Sequence, residues 1–177
     1  MKKILIFFFA AAVVAGCEQV STPGDFYDGL DYITIDSLKT HLGRITQMPP
    51  FATDTIRIYP RDGQTVQRIH ASLMGFMSET DRNITISQIH TDSRTPAAEP
   101  DVHYVPFDAE VFETVYILRG SETLTSLPVY IQPMAVAEKT TVLLEFELSH
   151  NTYFNAPGYA NPQYTRGKFL ITYYPND

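Results

Sequence analysis

The chain contains one cysteine, and its position takes cysteine chemistry out of the fold. Cys17 closes a run in which Lys2 and Lys3 precede the apolar stretch Ile4 to Ala15, and Val14-Ala15-Gly16-Cys17 has the small-residue pattern of a lipobox. As a helix the apolar stretch would span roughly 18 Å, well short of the ~30 Å hydrocarbon core, so it is an address rather than a retained membrane span. Residues 1–16 therefore read as a lipoprotein signal peptide, with Cys17 acylated as the new N-terminus. A thiol consumed by lipidation forms neither a disulfide nor a thiolate metal site. The rest of the chain must be held together by packing.

The segment beyond Cys17 is long enough for one domain with a real core and leaves little room for two. The net charge of −7 becomes more acidic once Lys2 and Lys3 are removed. That balance disfavours nucleic acid as a partner. It also gives no attraction to anionic headgroups, so the partnership with the membrane rests on the acyl chains at Cys17.

Residues 17–31 have tether composition, polar and punctuated by Ser21-Thr22-Pro23-Gly24-Asp25 and Asp28-Gly29. From residue 32 to residue 177 short runs of period-two alternation recur, rich in β-branched and aromatic residues and bounded by turns. The clearest runs from Val142 to Leu148: Val142, Leu144, Phe146 and Leu148 share one face, and Glu145 and Glu147 are expected at water on the other. Similar patterns predict strands over Tyr32–Ile35, Thr55–Tyr59, Val66–Met74, Asn83–Ile89, Glu113–Leu118, Leu127–Ile131 and Lys168–Tyr173. Thr91–Asp101 reads as a long loop, and no stretch carries a convincing helical stripe. The expectation is an all-β fold, a single immunoglobulin-like antiparallel β-sandwich of seven to eight strands.

With the strands placed, the order of local motifs resembles a family of short Bacteroidota lipoproteins of unknown function, whose sandwich is similar to immunoglobulin-like and Calx-beta modules. The residues that carry the resemblance are Leu73-Met74-Gly75, Asp81-Arg82-Asn83-Ile84, Thr95-Pro96-Ala97-Ala98-Glu99 leading to His103-Tyr104, Leu127-Pro128-Val129, and Asn151 with Phe154. It covers roughly residues 25–174. Where such families place a glycine before the His-Tyr or Asp-Tyr pair, this chain reads Glu99-Pro100-Asp101-Val102-His103-Tyr104. The resemblance implies an outer-membrane or cell-surface lipoprotein near nutrient capture, with SusC/SusD-like uptake proteins as its partners.

One loop between confident strands suits ligand binding. Residues 150–164 interleave tyrosines with amides, and Tyr153, Asn155, Tyr159, Asn161 and Tyr164 are the candidate ligand-binding residues, an oligosaccharide or peptide being the chemistry they fit. The competing view is that Phe154 plugs the end of the core and the tyrosines cover backbone. The absence of tryptophan weakens the glycan case. His70, His90 and His103 match no metal-ligand spacing. Glu99, Asp101 and Asp108 could hold a calcium ion, although a solvated acidic loop explains the same residues. No Gly-x-Ser-x-Gly elbow is present, so neither catalytic residues nor a cofactor is expected. The expected function is a non-catalytic envelope lipoprotein serving glycan uptake, the alternative being a structural or adhesion-type docking module with no small-molecule ligand.

Overall fold

A computed structural model describes residues 31–39, 45–47, 52–154 and 164–176. Cys17, Asn155, Tyr159 and Asn161 lie outside them. The strands are β1 (Tyr32–Lys39), β2 (Ile45–Gln47), β3 (Ala52–Ile58), β4 (Thr65–Met74), β5 (Arg82–Asn83), β6 (Thr85–Ile89), β7 (Ile117–Leu118), β8 (Leu124–Ile131), β9 (Thr140–Ser149) and β10 (Arg166–Tyr173). One four-stranded sheet has the order β2-β1-β4-β8, a second has β3-β10-β9-β6, and β5 pairs with β7 in a small ribbon. The inner faces meet in a core that joins Ile33, Ile35, Ile69 and Val129 of the first sheet to Ile56, Leu144, Phe146 and Phe169 of the second. The molecule is an all-β sandwich.

Three strand expectations are corrected. The sheets are antiparallel except for β3, which runs parallel to β10 with Ala52 beside Gly167 and Ile58 beside Tyr173. The stretch Asn83–Ile89 is broken at Ile84, whose N–H leaves the ladder to donate to the Tyr116 carbonyl (2.8 Å). Of Glu113–Leu118, only Ile117 and Leu118 are strand. The preceding residues follow a 3-10 turn at Glu110–Phe112, where Phe112 and Tyr116 stack at 4.4 Å and the Tyr116 hydroxyl donates to the Pro128 carbonyl (2.8 Å). An apolar pair four residues apart serves a helical turn, and the alternation seen in sequence was fortuitous. Burial pushes the Tyr116 hydroxyl far up from its ordinary pKa.

On β9, Val142, Leu144, Phe146 and Leu148 face inward, as their spacing predicts. Gly167 of β10 lies against the ring of Phe146, and a Cβ there would collide with Cζ. The expectation for Glu145 is overturned. It is on the outer face, yet only 1% exposed. After β6 the chain turns at Thr91 and runs back beside β9, where Leu143 N–H donates to the Pro96 carbonyl (2.8 Å) and Ala98 N–H to the Leu143 carbonyl (2.9 Å). The Thr91–Asp101 loop is thus a strap along the sheet edge. Glu145 ties it down by accepting from Thr91 Oγ1 (2.8 Å), the Thr91 and Asp92 amides, and Lys168 Nζ (2.8 Å). Burial alone would raise its pKa, but the Lys168 ammonium and then the Thr91 and Asp92 donors outweigh it and hold the carboxyl at about 2. Glu147 remains half-buried in an ion pair with Arg166 (3.1 Å).

The strap ends in a tight turn. His103 N–H donates to the Glu99 carbonyl, and Glu99 N–H donates to His103 Nδ1, both at 2.9 Å. Asp101 takes φ 63°, a left-handed conformation that aspartate tolerates better than most residues. This is the segment where the resemblance leads one to expect glycine.

Candidate functional site at the tether end of the sandwich

Strand direction gathers several loops at one end. Tyr32 at the start of β1 pairs with Met74 at the end of β4, Leu124 opens β8 opposite Ser72, and Ser149 closes β9 opposite Thr85. This is the end that the tether from Cys17 enters.

An ion pair made by a buried arginine organises it. Arg82, at the start of β5, donates from Nη1 to Asp31 Oδ2 at 2.6 Å and from Nη2 to the Phe76 carbonyl at 3.3 Å. Asp31 Oδ1 in turn accepts from Phe76 N–H (3.0 Å). The loop can close this tightly because Gly75 adopts φ +152°, and a Cβ there would collide with Asp31 Oδ1. The Arg82 guanidinium lies 5.0 Å from the centre of the Phe154 ring, capping the core with a cation–π contact.

Asn151 fixes the start of the aromatic loop. Its Oδ1 accepts from Tyr153 N–H (2.8 Å) and Phe154 N–H (3.0 Å), while its Nδ2 donates to the Asn83 carbonyl (2.7 Å) and Thr85 Oγ1 (3.1 Å). Phe154 is 1% exposed and plugs the core, as the competing sequence reading expects of that residue. Tyr153 and Tyr164 are exposed. Of the five candidate ligand residues, the structure places Tyr153 and Tyr164 on this surface; Asn155, Tyr159 and Asn161 lie outside the described residues.

Sequence reasoning passed over the apolar residues beside them. Phe76 and Met77 are 71% and 63% exposed, and Met74 and Leu124 are exposed as well. The signal was an apolar pair straight after Gly75, where turn composition is normally polar. A concavity of about 500 Å³, lined by Arg68, Arg119, Glu122, Ser126 and Tyr130 among others, runs along β8.

The histidines do not assemble. His70 sits on β4 opposite Ser37 and Ser126, His90 lies 3.8 Å from Glu145, and His103 is held in its turn. Among the described residues no three His, Cys, Asp or Glu side chains converge on a point that could hold a metal ion, so Glu99, Asp101 and Asp108 are not brought together as a calcium site. Burial lowers the pKa of both His70 and His103, favouring neutral imidazoles.

Comparison with known proteins bears chiefly on the N-terminus. Residues 1–17 match the prokaryotic membrane lipoprotein lipid attachment site. The protein is a cell-envelope lipoprotein, associated with its membrane through lipid. No curated protein sequence matches the chain. Among solved structures, the apo form of the Calx CBD1 domain aligns at 9% identity and a TM-score of 0.45, covering 84% of this chain and 99% of that one. A Bacteroides ovatus protein of unknown function aligns at 10% identity and 0.45, covering 78% of this chain and 45% of that protein, so the present chain spans under half of its length. The N-terminal domain of PorA aligns at 13% identity and 0.34, covering 80% and 96%.

Proposed function

We propose that this lipoprotein is a non-catalytic accessory of an outer-membrane assembly for nutrient uptake, glycans foremost. In this reading it engages an oligosaccharide, or a SusC/SusD-like uptake protein, through the aromatic end that carries Tyr153 and Tyr164. The observation that carries the reading is the exposure of these two tyrosines at one end of the sandwich, Tyr153 on a turn pinned by Asn151 and the buried Phe154. A rigid scaffold presenting amphipathic rings suits recognition, because little conformational entropy is lost when the rings are covered. The charged groups buried elsewhere support a non-catalytic role: Arg82 closes a loop on Asp31 and Glu145 ties down a strap.

The double variant Tyr153→Ala/Tyr164→Ala is expected to keep the wild-type melting temperature and to lose binding, each stacked ring contributing on the order of 1 kcal/mol. Calorimetry against oligosaccharides and co-purification with membrane-embedded uptake proteins provide the readouts. Unfolding of the variant would make the tyrosines structural. A folded variant with unchanged binding would move the site elsewhere.

A further inference from the structure

We propose that Phe76 and Met77 seat the tether end of the sandwich on the bilayer in which Cys17 is anchored. Three observations converge. The first is proximity: the chain from Cys17 to Asp31 cannot reach more than about 50 Å even when fully extended. Asp31 itself holds the Phe76 loop, so the loop lies where the tether meets the domain. The anchor keeps this end at high effective concentration beside the membrane, and weak apolar contacts then suffice.

The second observation is that the loop is built to present these side chains. Gly75 at φ +152°, the Asp31 carboxylate and the Arg82 guanidinium fix its entry, and Ser78 N–H donates to the Gly120 carbonyl (3.1 Å) on its exit side. On that frame Phe76 and Met77 point to the outside at 71% and 63% exposure, flanked by exposed Met74 and Leu124. An aromatic and a thioether held out together resemble the apolar face of an interfacial anchor, which buries about 5–10 Å deep at the headgroup boundary.

The third is charge. Asp31, Glu79, Asp81, Glu122 and Glu147 lie around this end with Arg82, Arg119 and Arg166, and Asp31 and Glu147 are paired with Arg82 and Arg166, so the described residues form no basic patch there to draw in anionic lipid. The seating is apolar and independent of lipid charge. Tyr153 and Tyr164, at the same end, then lie near headgroup level, where amphipathic rings settle. Of the two ligands proposed for these rings, a protein embedded in the same membrane is the one this placement favours; the seating itself does not depend on that partner.

The chain has no tryptophan, which makes a single reporter unambiguous. Full-length lipidated Phe76→Trp protein is reconstituted into phosphatidylcholine vesicles, with and without phosphatidylglycerol, with Tyr59→Trp at the opposite end of the sandwich as the control. Phe76→Trp should emit blue-shifted and lose at least about half its emission to lipids brominated in the upper acyl chain, equally in both vesicles, given the depth of an interfacial anchor. Tyr59→Trp, stacked on Tyr174, should emit identically with and without vesicles and remain unquenched. Met77→Trp gives the same readout should Phe76→Trp not fold. Emission of the loop reporter as in water, quenched no more than the Tyr59 reporter, overturns the proposal. Shielding seen only in native membranes, and not in these protein-free vesicles, overturns it too, because the occupant would then be a protein.

Discussion

Phe146→Ala lowers the stability of the sandwich by about 3–5 kcal/mol, the range for deleting a fully buried phenylalanine. Phe146 is at the centre of an aromatic cluster, with ring centroids 5.2 Å from Phe169 and 6.0 Å from Phe107. Truncation removes the transfer energy of the ring and leaves a cavity. On one side the wall is Gly167, which has no side chain with which to fill it, so the cost falls toward the upper end of the range. A domain of this size has about 5–15 kcal/mol in all, and its urea midpoint should drop steeply with little change in slope. A loss below about 1 kcal/mol would show that the inner face of β9 is not where the structure puts it.

Glu145→Ala is the second large effect, and it is the substitution that sequence alone judges harmless. It leaves the Thr91 and Asp92 amides and the Thr91 hydroxyl without their acceptor, at a cost of about 1–3 kcal/mol, while the half-exposed Lys168 ammonium returns to water. Glu147→Ala, which breaks a half-exposed pair with Arg166, should stay within about 1 kcal/mol. Protonation should reproduce part of the loss. The folded pKa of about 2 lies below the ordinary glutamate value of 4.5, so the stabilisation is complete above about pH 4.5 and disappears as pH falls toward 2. The full span corresponds to roughly 3 kcal/mol at about 1.36 kcal/mol per pH unit. Urea melts from pH 6 to pH 2 should show that decline in the wild type and a shallower one in Glu145→Gln. Equal slopes would remove Glu145 from the acid-sensitive network.

These two neighbours also mark how far the sequence could be read. Phe146 was legible because strand alternation sends alternate side chains to opposite faces, and the core face of β9 follows from spacing alone. Glu145 was not, because alternation assigns a face but says nothing about what later covers it. The cover comes from the Thr91–Asp101 strap, whose pairing with Leu143 joins residues far apart in sequence. The parallel pairing of β3 with β10 was hidden for the same reason. At the tether end, the burial of Phe154 and the exposure of Tyr153 fit one or other of the weighed sequence readings. Asp31 and Arg82 went unread since an ion pair between a tether residue and a short strand leaves no local pattern. Phe76 and Met77 come directly after a predicted strand, and only the turn at Gly75 reveals that they are held out from it.

Everything proposed for the tether end depends on Cys17 being the lipid-bearing N-terminus of the mature protein, and intact mass spectrometry of protein purified from the membrane fraction tests that most directly. The expected species is a chain that begins at Cys17 and carries the added mass of a diacylglyceryl thioether, with residues 1–16 absent. A chain that retains residues 1–16, or one that begins at Cys17 with an unmodified thiol, would contradict it.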